Sequence, residues 1–175
     1  MPLIRYRQAR RSDIPAIARV RAAEWGSEEY WISRITAYLN RTSHPQHALA
    51  PRVAYIAASG HQVVGLVAGH LTTRHGCRGE LEWIDVHAEH RRKGIAEGLL
   101  RKLAAWFVAH QAHKICVDVQ PTNAAARAFY AKHGAIELNP HWMVWNRMGD
   151  VAGAQLREPR TVPAAMAKRR RRVKR

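Results

Sequence analysis

Within thirty residues near its middle, this chain changes character twice. Leu81-Glu82-Trp83-Ile84-Asp85-Val86 is an apolar segment, Arg91-Arg92-Lys93-Gly94-Ile95-Ala96 is a basic loop with a glycine, and Glu97 to His110 is strongly helical. A strand that turns through such a loop into a helix start aims several backbone N–H groups at one point. Those groups have no partner inside the helix, and the helix dipole adds positive potential, so the loop suits a pyrophosphate. At Gly94 the main chain can approach a phosphate where a Cβ would intrude, and Ala96 is small for a similar reason. A second segment, Asn123-Ala124-Ala125-Ala126-Arg127-Ala128-Phe129-Tyr130, follows in a similar strand-to-helix setting.

The length of 175 residues, 47% of them hydrophobic and 24% charged, fits one globular domain with a full core. No apolar run approaches the ~20 residues of a membrane span, and Met1 to Arg5 lacks the apolar core of a secretory signal. Cys77 and Cys116 make neither a CxxC pair nor a disulfide framework, so inert thiols in a reducing, cytoplasmic setting are expected. The net charge of +16 is concentrated at one end, where seven of the eight residues from Lys168 to Arg175 are basic. Removing those seven leaves 22 positive against 13 negative residues, or +9, so the rest of the chain is basic too. Such a surface gathers polyanions, whether a ligand carrying three phosphates or, weakly and salt-dependently, nucleic acid.

The pattern predicts a short strand at Ile4 to Arg7, then a helix capped by Ser12 or Asp13, with Pro15 in its first turn, running to Trp25. Trp31, Ile35, Tyr38 and Leu39 predict a second helix over Tyr30 to Leu39, and Arg41 to Arg52 reads as a loop. Val53 to Ala58 and Val63 to Leu71 form a hairpin about Ser59-Gly60, followed by a strand at Glu80 to Val86. In the central helix Ala96, Leu99, Leu100, Leu103 and Phe107 share one face. Lys114 to Val119 alternates as a strand. Thr122 or Asn123 then caps a helix that ends at Gly134, and strands at Ala135 to Leu138 and Trp142 to Met148 complete the domain. The expected domain covers residues 1–148, with 149–175 a basic tail of no fixed structure.

These segments resemble the GNAT superfamily of N-acetyltransferases over nearly the whole chain. Arg91, Gly94 and Ala96 match its Arg/Gln-x-x-Gly-x-Gly/Ala loop, and Asn123 to Tyr130 with Gly134 matches its Asn-x-x-Ala-x-x-x-Tyr-x-x-x-Gly-Phe motif. Ala135 replaces the usual Phe, and Ala88 the usual loop Pro. The resemblance implies an α+β fold: a mixed, mostly antiparallel twisted sheet splayed between strands 4 and 5, flanked by about four helices. It implies acetyl-CoA as co-substrate, with backbone groups of Ile84 and Val86 pairing with the pantetheine arm. Amides from Arg92 through Lys93, Gly94 and Ile95 to Ala96 would hold the pyrophosphate, Arg91 would brace the loop, and Asn123 would touch the pantetheine.

Tyr130 stands where the family's tyrosine protonates the departing thiolate. Glu80 and Glu82, two residues apart on one strand face, match positions of the family's amine-deprotonating base, with Glu82 favoured as nearer the splay. Asp85 and His87 are weaker candidates, on the other face unless a bulge changes the parity. No Cys or Ser lies in a nucleophile setting, which fits direct attack by an amine in a ternary complex. His110 and His113, at i, i+3 spacing, lack the converging ligands of a zinc site, so no metal is expected. Two other functions stay open: a nucleic-acid-associated module using the Arg-rich tail, and an acyl-CoA sensor without catalysis. The expected partners are acetyl-CoA and an amine acceptor the sequence does not identify, with no membrane; a homodimer is left open.

Overall fold

The computed structural model describes residues 3–153; the basic run from Lys168 lies outside them. The elements are β1 (Ile4–Gln8), α1 (Ile14–Ala22), α2 (Glu28–Leu39), β2 (Ala48–Ser59), β3 (Gln62–Thr72), β4 (Gly79–Val86), α3 (Ile95–Ala109), β5 (Ile115–Asp118), α4 (Ala124–Lys132), β6 (Ile136–Asn139), β7 (Trp142–Trp145) and α5 (Met148–Ala152). They build one seven-stranded sheet in the order β1-β2-β3-β4-β5-β7-β6. All its pairs are antiparallel except β4 with β5.

The sheet is covered on both faces. Ile14, Ile17 and Ala18 of α1 and Trp31, Ile35 and Tyr38 of α2 bury Ile56, Leu66 and Trp83 on one side. On the other, Leu99, Leu100, Leu103 and Phe107 of α3 are fully buried against Val67 and Leu81. The apolar stripe read from the sequence is therefore the face that docks, each such side chain contributing about 2 kcal/mol. Gly79 permits this close docking, because a Cβ there would collide with the Phe107 ring.

Several boundaries differ from expectation. The first helix stops at Ala22, leaving Trp25 exposed, and β2 begins at Ala48, inside the expected loop. The strand expected to reach Met148 ends at Trp145. A fifth helix follows, whose Met148 and Val151 are buried with the α3 core, so the packed fold continues through Ala152. Five residues are too few for a helical period to stand out from the sequence. Asp13 does not cap α1 by its side chain. Instead Oδ2 accepts the Arg10 N–H at 2.6 Å, and both oxygens accept the Arg7 guanidinium at 2.7 and 2.8 Å. Ser27 caps α2 through Tyr30 N, and Asn123 caps α4 through Ala126 N.

The Arg7 hydrogen bonds, opposed by burial, hold the Asp13 pKa below its ordinary 3.8. Asp13→Ala is expected to lower stability in urea unfolding by about 1–3 kcal/mol. Because the folded-state pKa is depressed, that difference is complete above the ordinary value and fades as pH falls through the folded one. A loss that persisted undiminished at pH 2 would contradict this assignment.

Candidate active site

The parallel ladder between β4 and β5 is short. Gly79 pairs with Ile115, Glu80 with Cys116 and Leu81 with Val117, and there it ends. Beyond Leu81, β4 continues to Val86 with β3 on one side and, among the described residues, no strand on the other. Ile84 and Val86 thus lie on the open stretch, where backbone polar groups need a partner other than sheet. The splay expected from the sequence is present.

A bulge coincides with the break. Ala68 pairs with Trp83 and Gly69 with Leu81, so Glu82 is the extra residue. The parity change shows in the packing: Leu81 joins the α3 core, whereas Trp83 joins the α1–α2 core. Asp85 consequently turns toward α1, where its carboxylate accepts from the Arg21 guanidinium. A cleft of about 150 Å³ opens at the splay, its polar walls formed by Arg21, Glu82, Asp85, Asp118 and Tyr130.

These polar groups differ sharply in electrostatics. Burial raises the Glu82 pKa above its ordinary 4.5 despite nearby cations, and it does the same to Asp85 from 3.8 despite Arg21. Glu80 goes the other way. Burial pushes its pKa up, but His70 and Arg74 outweigh that and hold it below 4.5. Its Oε2 already receives Arg74 Nε at 3.1 Å and the Thr72 hydroxyl at 3.3 Å. Glu82 reaches the cleft; Glu80 is absorbed by its neighbours. Tyr130 is 5% exposed, with its ring edge-on to Trp145 at 5.4 Å. Burial, assisted by the Asp85 charge, pushes its pKa well up, so the hydroxyl keeps its proton at neutral pH.

The loop before α3 has the geometry of an anion cradle. Arg92 and Gly94 both adopt positive φ, at 61° and 75°, and Gly94 caps the helix in the left-handed conformation. Left-handed residues interleaved with ordinary ones turn successive N–H groups inward. Among the described residues, the amides of Arg92 to Ala96 donate to no other backbone group. The space a Gly94 Cβ would occupy is open. Arg91 braces this loop: its Nε donates to Val86 O at 2.9 Å, and its Nη2 pairs with Glu24, beyond the end of α1. Lys93 Nζ donates to Glu89 O at 2.8 Å.

Sequence reasoning missed Arg21, Asp118 and His70. Arg21 carried a signal, since with Ile14, Ile17 and Ala18 it completes an i, i+3, i+4, i+7 stripe on the buried face of α1. It lies over Trp31 at 4.0 Å and Trp83 at 5.1 Å, and among the described residues its buried Nε has no hydrogen-bond partner. His87 lies past the end of β4, outside the cleft lining. Cys77 and Cys116 are free and buried.

The Acetyltransferase (GNAT) family model matches residues 15–135, and the chain belongs to that family. Solved structures agree on the fold. A GNAT-family protein from Desulfovibrio desulfuricans superimposes with a TM-score of 0.67 at 12% identity, covering 82% of this chain and 97% of that one. The ribosomal-protein-S18-alanine N-acetyltransferase of Escherichia coli gives 0.61 at 16% identity, covering 82% and 93%. The PaiA N-acetyltransferase of Thermoplasma acidophilum, solved in complex with coenzyme A, gives 0.62 at 14% identity, covering 83% and 99%. No curated protein matches the chain in sequence.

The Arg21–Asp85 pair ties α1 to the bulged strand. Arg21→Leu is expected to cost about 2–4 kcal/mol, because it leaves a carboxylate in a largely buried wall. Adding Asp85→Asn should recover part of that loss in a double-mutant cycle. Additivity within ~0.5 kcal/mol would show that the two side chains do not support each other.

Proposed function

We propose that this protein transfers an acetyl group from acetyl-CoA to a primary amine by direct attack within a ternary complex. The observation that carries this reading is the splay itself: an unpaired β4 edge runs from the Gly94 cradle to a cleft holding Glu82 and Tyr130. The pyrophosphate of the co-substrate would sit on the amides of Arg92 to Ala96, and its pantetheine arm would lie along Ile84 and Val86, near Asn123. Names of two structural neighbours, an N-acetyltransferase acting on a ribosomal-protein alanine and an N-acetyltransferase bound to coenzyme A, support this choice.

Each residue then has one task. Glu82 removes a proton from the acceptor nitrogen, and the freed lone pair attacks the thioester carbonyl. The new C–N bond forms a tetrahedral intermediate. As it collapses, the C–S bond breaks, Tyr130 gives its hydroxyl proton to the sulfur, and the now cationic nitrogen loses its surplus proton to cleft water, from which Tyr130 is reprotonated. Raised pKa values suit both roles, a stronger base at Glu82 and a hydroxyl still protonated at Tyr130. Glu80, already bonded to Arg74 and the Thr72 hydroxyl, supports the strand and takes no proton.

A thiol-release screen of amine classes with acetyl-CoA tests the activity. Tyr130→Phe is expected to lower kcat about ten-fold or more for the best amine. The active form of Glu82 is ionised, so kcat/KM should rise with pH through a midpoint above the ordinary carboxylate value, and Glu82→Gln should abolish that limb. Thiol release from no amine class, or an unchanged kcat in folded Tyr130→Phe, would sink the assignment.

A further inference from the structure

Behind Glu82 lies a polar cluster that the chemistry above does not use. His70 of β3 is completely buried, yet one of its ring nitrogens has no hydrogen bond among the described residues. Its Nδ1 meets the Tyr38 hydroxyl of α2 at 3.0 Å. Its Nε2 is the unpartnered atom, 3.6 Å from Glu80 Oε2. One ring nitrogen of His70 and carboxylate oxygens of Glu80 and Glu82 all lie within 4.8 Å of one another. A fully buried imidazole edge, left unpaired between two carboxylates, needs a reason, since an unmet polar atom in the interior is costly.

We propose that His70 is a positioning residue acting through Glu82: its Nε2 takes over the proton that Glu82 removes from the acceptor amine, which returns Glu82 to its basic form while the acetyl group moves. This rests on the acetyl-transfer reading of the cleft. With Tyr38 accepting from Nδ1–H, the neutral ring presents a lone pair at Nε2, facing the carboxylates. The proton passes from the amine nitrogen to the Glu82 carboxylate and on to Nε2, directly or through one water. Ionised Glu80, fixed by Arg74 and Thr72, balances the imidazolium that forms. After product departs, the proton returns through Glu82 to water in the cleft, and no electron pair or further reactant is required.

The charges facing this cluster come from every element around it. Tyr38 and Arg34 belong to α2, Arg52 of β2 lies over the Tyr38 ring at 4.8 Å, and Arg74 precedes β4. Arg21 of α1 and Arg34 both act on Glu82, as do His70 and Glu80. The spacing of His70, Glu80 and Glu82 would also admit a divalent cation. Four guanidiniums close by oppose a metal, and one of the three ligands is already committed to Arg74 and Thr72. An imidazolium carries one charge rather than two and needs no site larger than the ring.

Long-range ¹H–¹⁵N correlation spectra of the ligand-free protein read the ring directly. The neutral His70 is expected to carry its proton on Nδ1; a proton on Nε2 would overturn the relay, since no lone pair would face Glu82. Kinetics give a second readout, using acetyl-CoA and the amine that releases thiol fastest in the screen. His70→Gln should lower kcat about ten-fold with both KM values within about two-fold. Tyr38→Phe, which keeps the ring and removes only the Nδ1 partner, should lower kcat by about three-fold. An unchanged kcat in folded His70→Gln would overturn the proposal. So would loss of wild-type activity on dialysis against a chelator that Zn²⁺ restores. If wild-type protein releases no thiol from acetyl-CoA, the acetyl-transfer reading fails first, and the tautomer separately answers whether Nε2 is free.

Discussion

The break in the β4–β5 ladder after Leu81 and Val117 is the constraint on which the rest of this structure depends. A parallel pair that stopped without cause would strand backbone donors and acceptors in the interior. Here the bulge at Glu82 adds twist at the same point, and β5 is only four residues long, so the strands diverge rather than merely end. The divergence does three things together. It leaves an open backbone edge at Ile84 and Val86, turns Asp85 toward Arg21, and lets Tyr130 from α4 face the gap.

Electrostatics in the opening follow from which carboxylate has a committed partner. Glu80 has Arg74, Thr72 and His70 and stays ionised; Glu82, one bulge further on, meets the same burial without a hydrogen-bonded cation, and its pKa rises. Two glutamates two residues apart on one strand are thereby driven to opposite behaviour, which is how one site separates a structural charge from a base. The cradle is joined to this region by Arg91, which reaches Val86 at the end of β4 and Glu24 beyond α1. The loop that would hold an anion and the wall that would hold an acceptor are thus mechanically linked.

Much of the fold was legible because its elements are long and periodic. The α3 stripe, the β2–β3 hairpin and the strand–loop–helix about Gly94 each carry a pattern that only one packing satisfies. Short elements were not: α5 has five residues, and the expected final strand ran into it. Within the site, Tyr130 and Glu82 stood at positions the family motif marks, and both border the cleft. Arg21 and His70 were hidden for a physical reason. Each occupies a core position and is tolerated through partners distant in sequence: Asp85 and the Trp31 and Trp83 rings for Arg21, the Tyr38 hydroxyl for His70. A single sequence displays the polar residue on the apolar face but not the partner that makes it acceptable.

Titration calorimetry of acetyl-CoA into the wild-type protein and into Gly94→Val tests most directly whether the amides around residue 94 grip the diphosphate. Wild-type protein should give saturable heat with one site per chain. A valine forced to the left-handed φ of 75° should weaken binding about ten-fold or more while the fold survives, since the space for its Cβ is open. No saturable heat with the wild-type protein at millimolar acetyl-CoA, or equal affinity in the variant, would contradict the central claim.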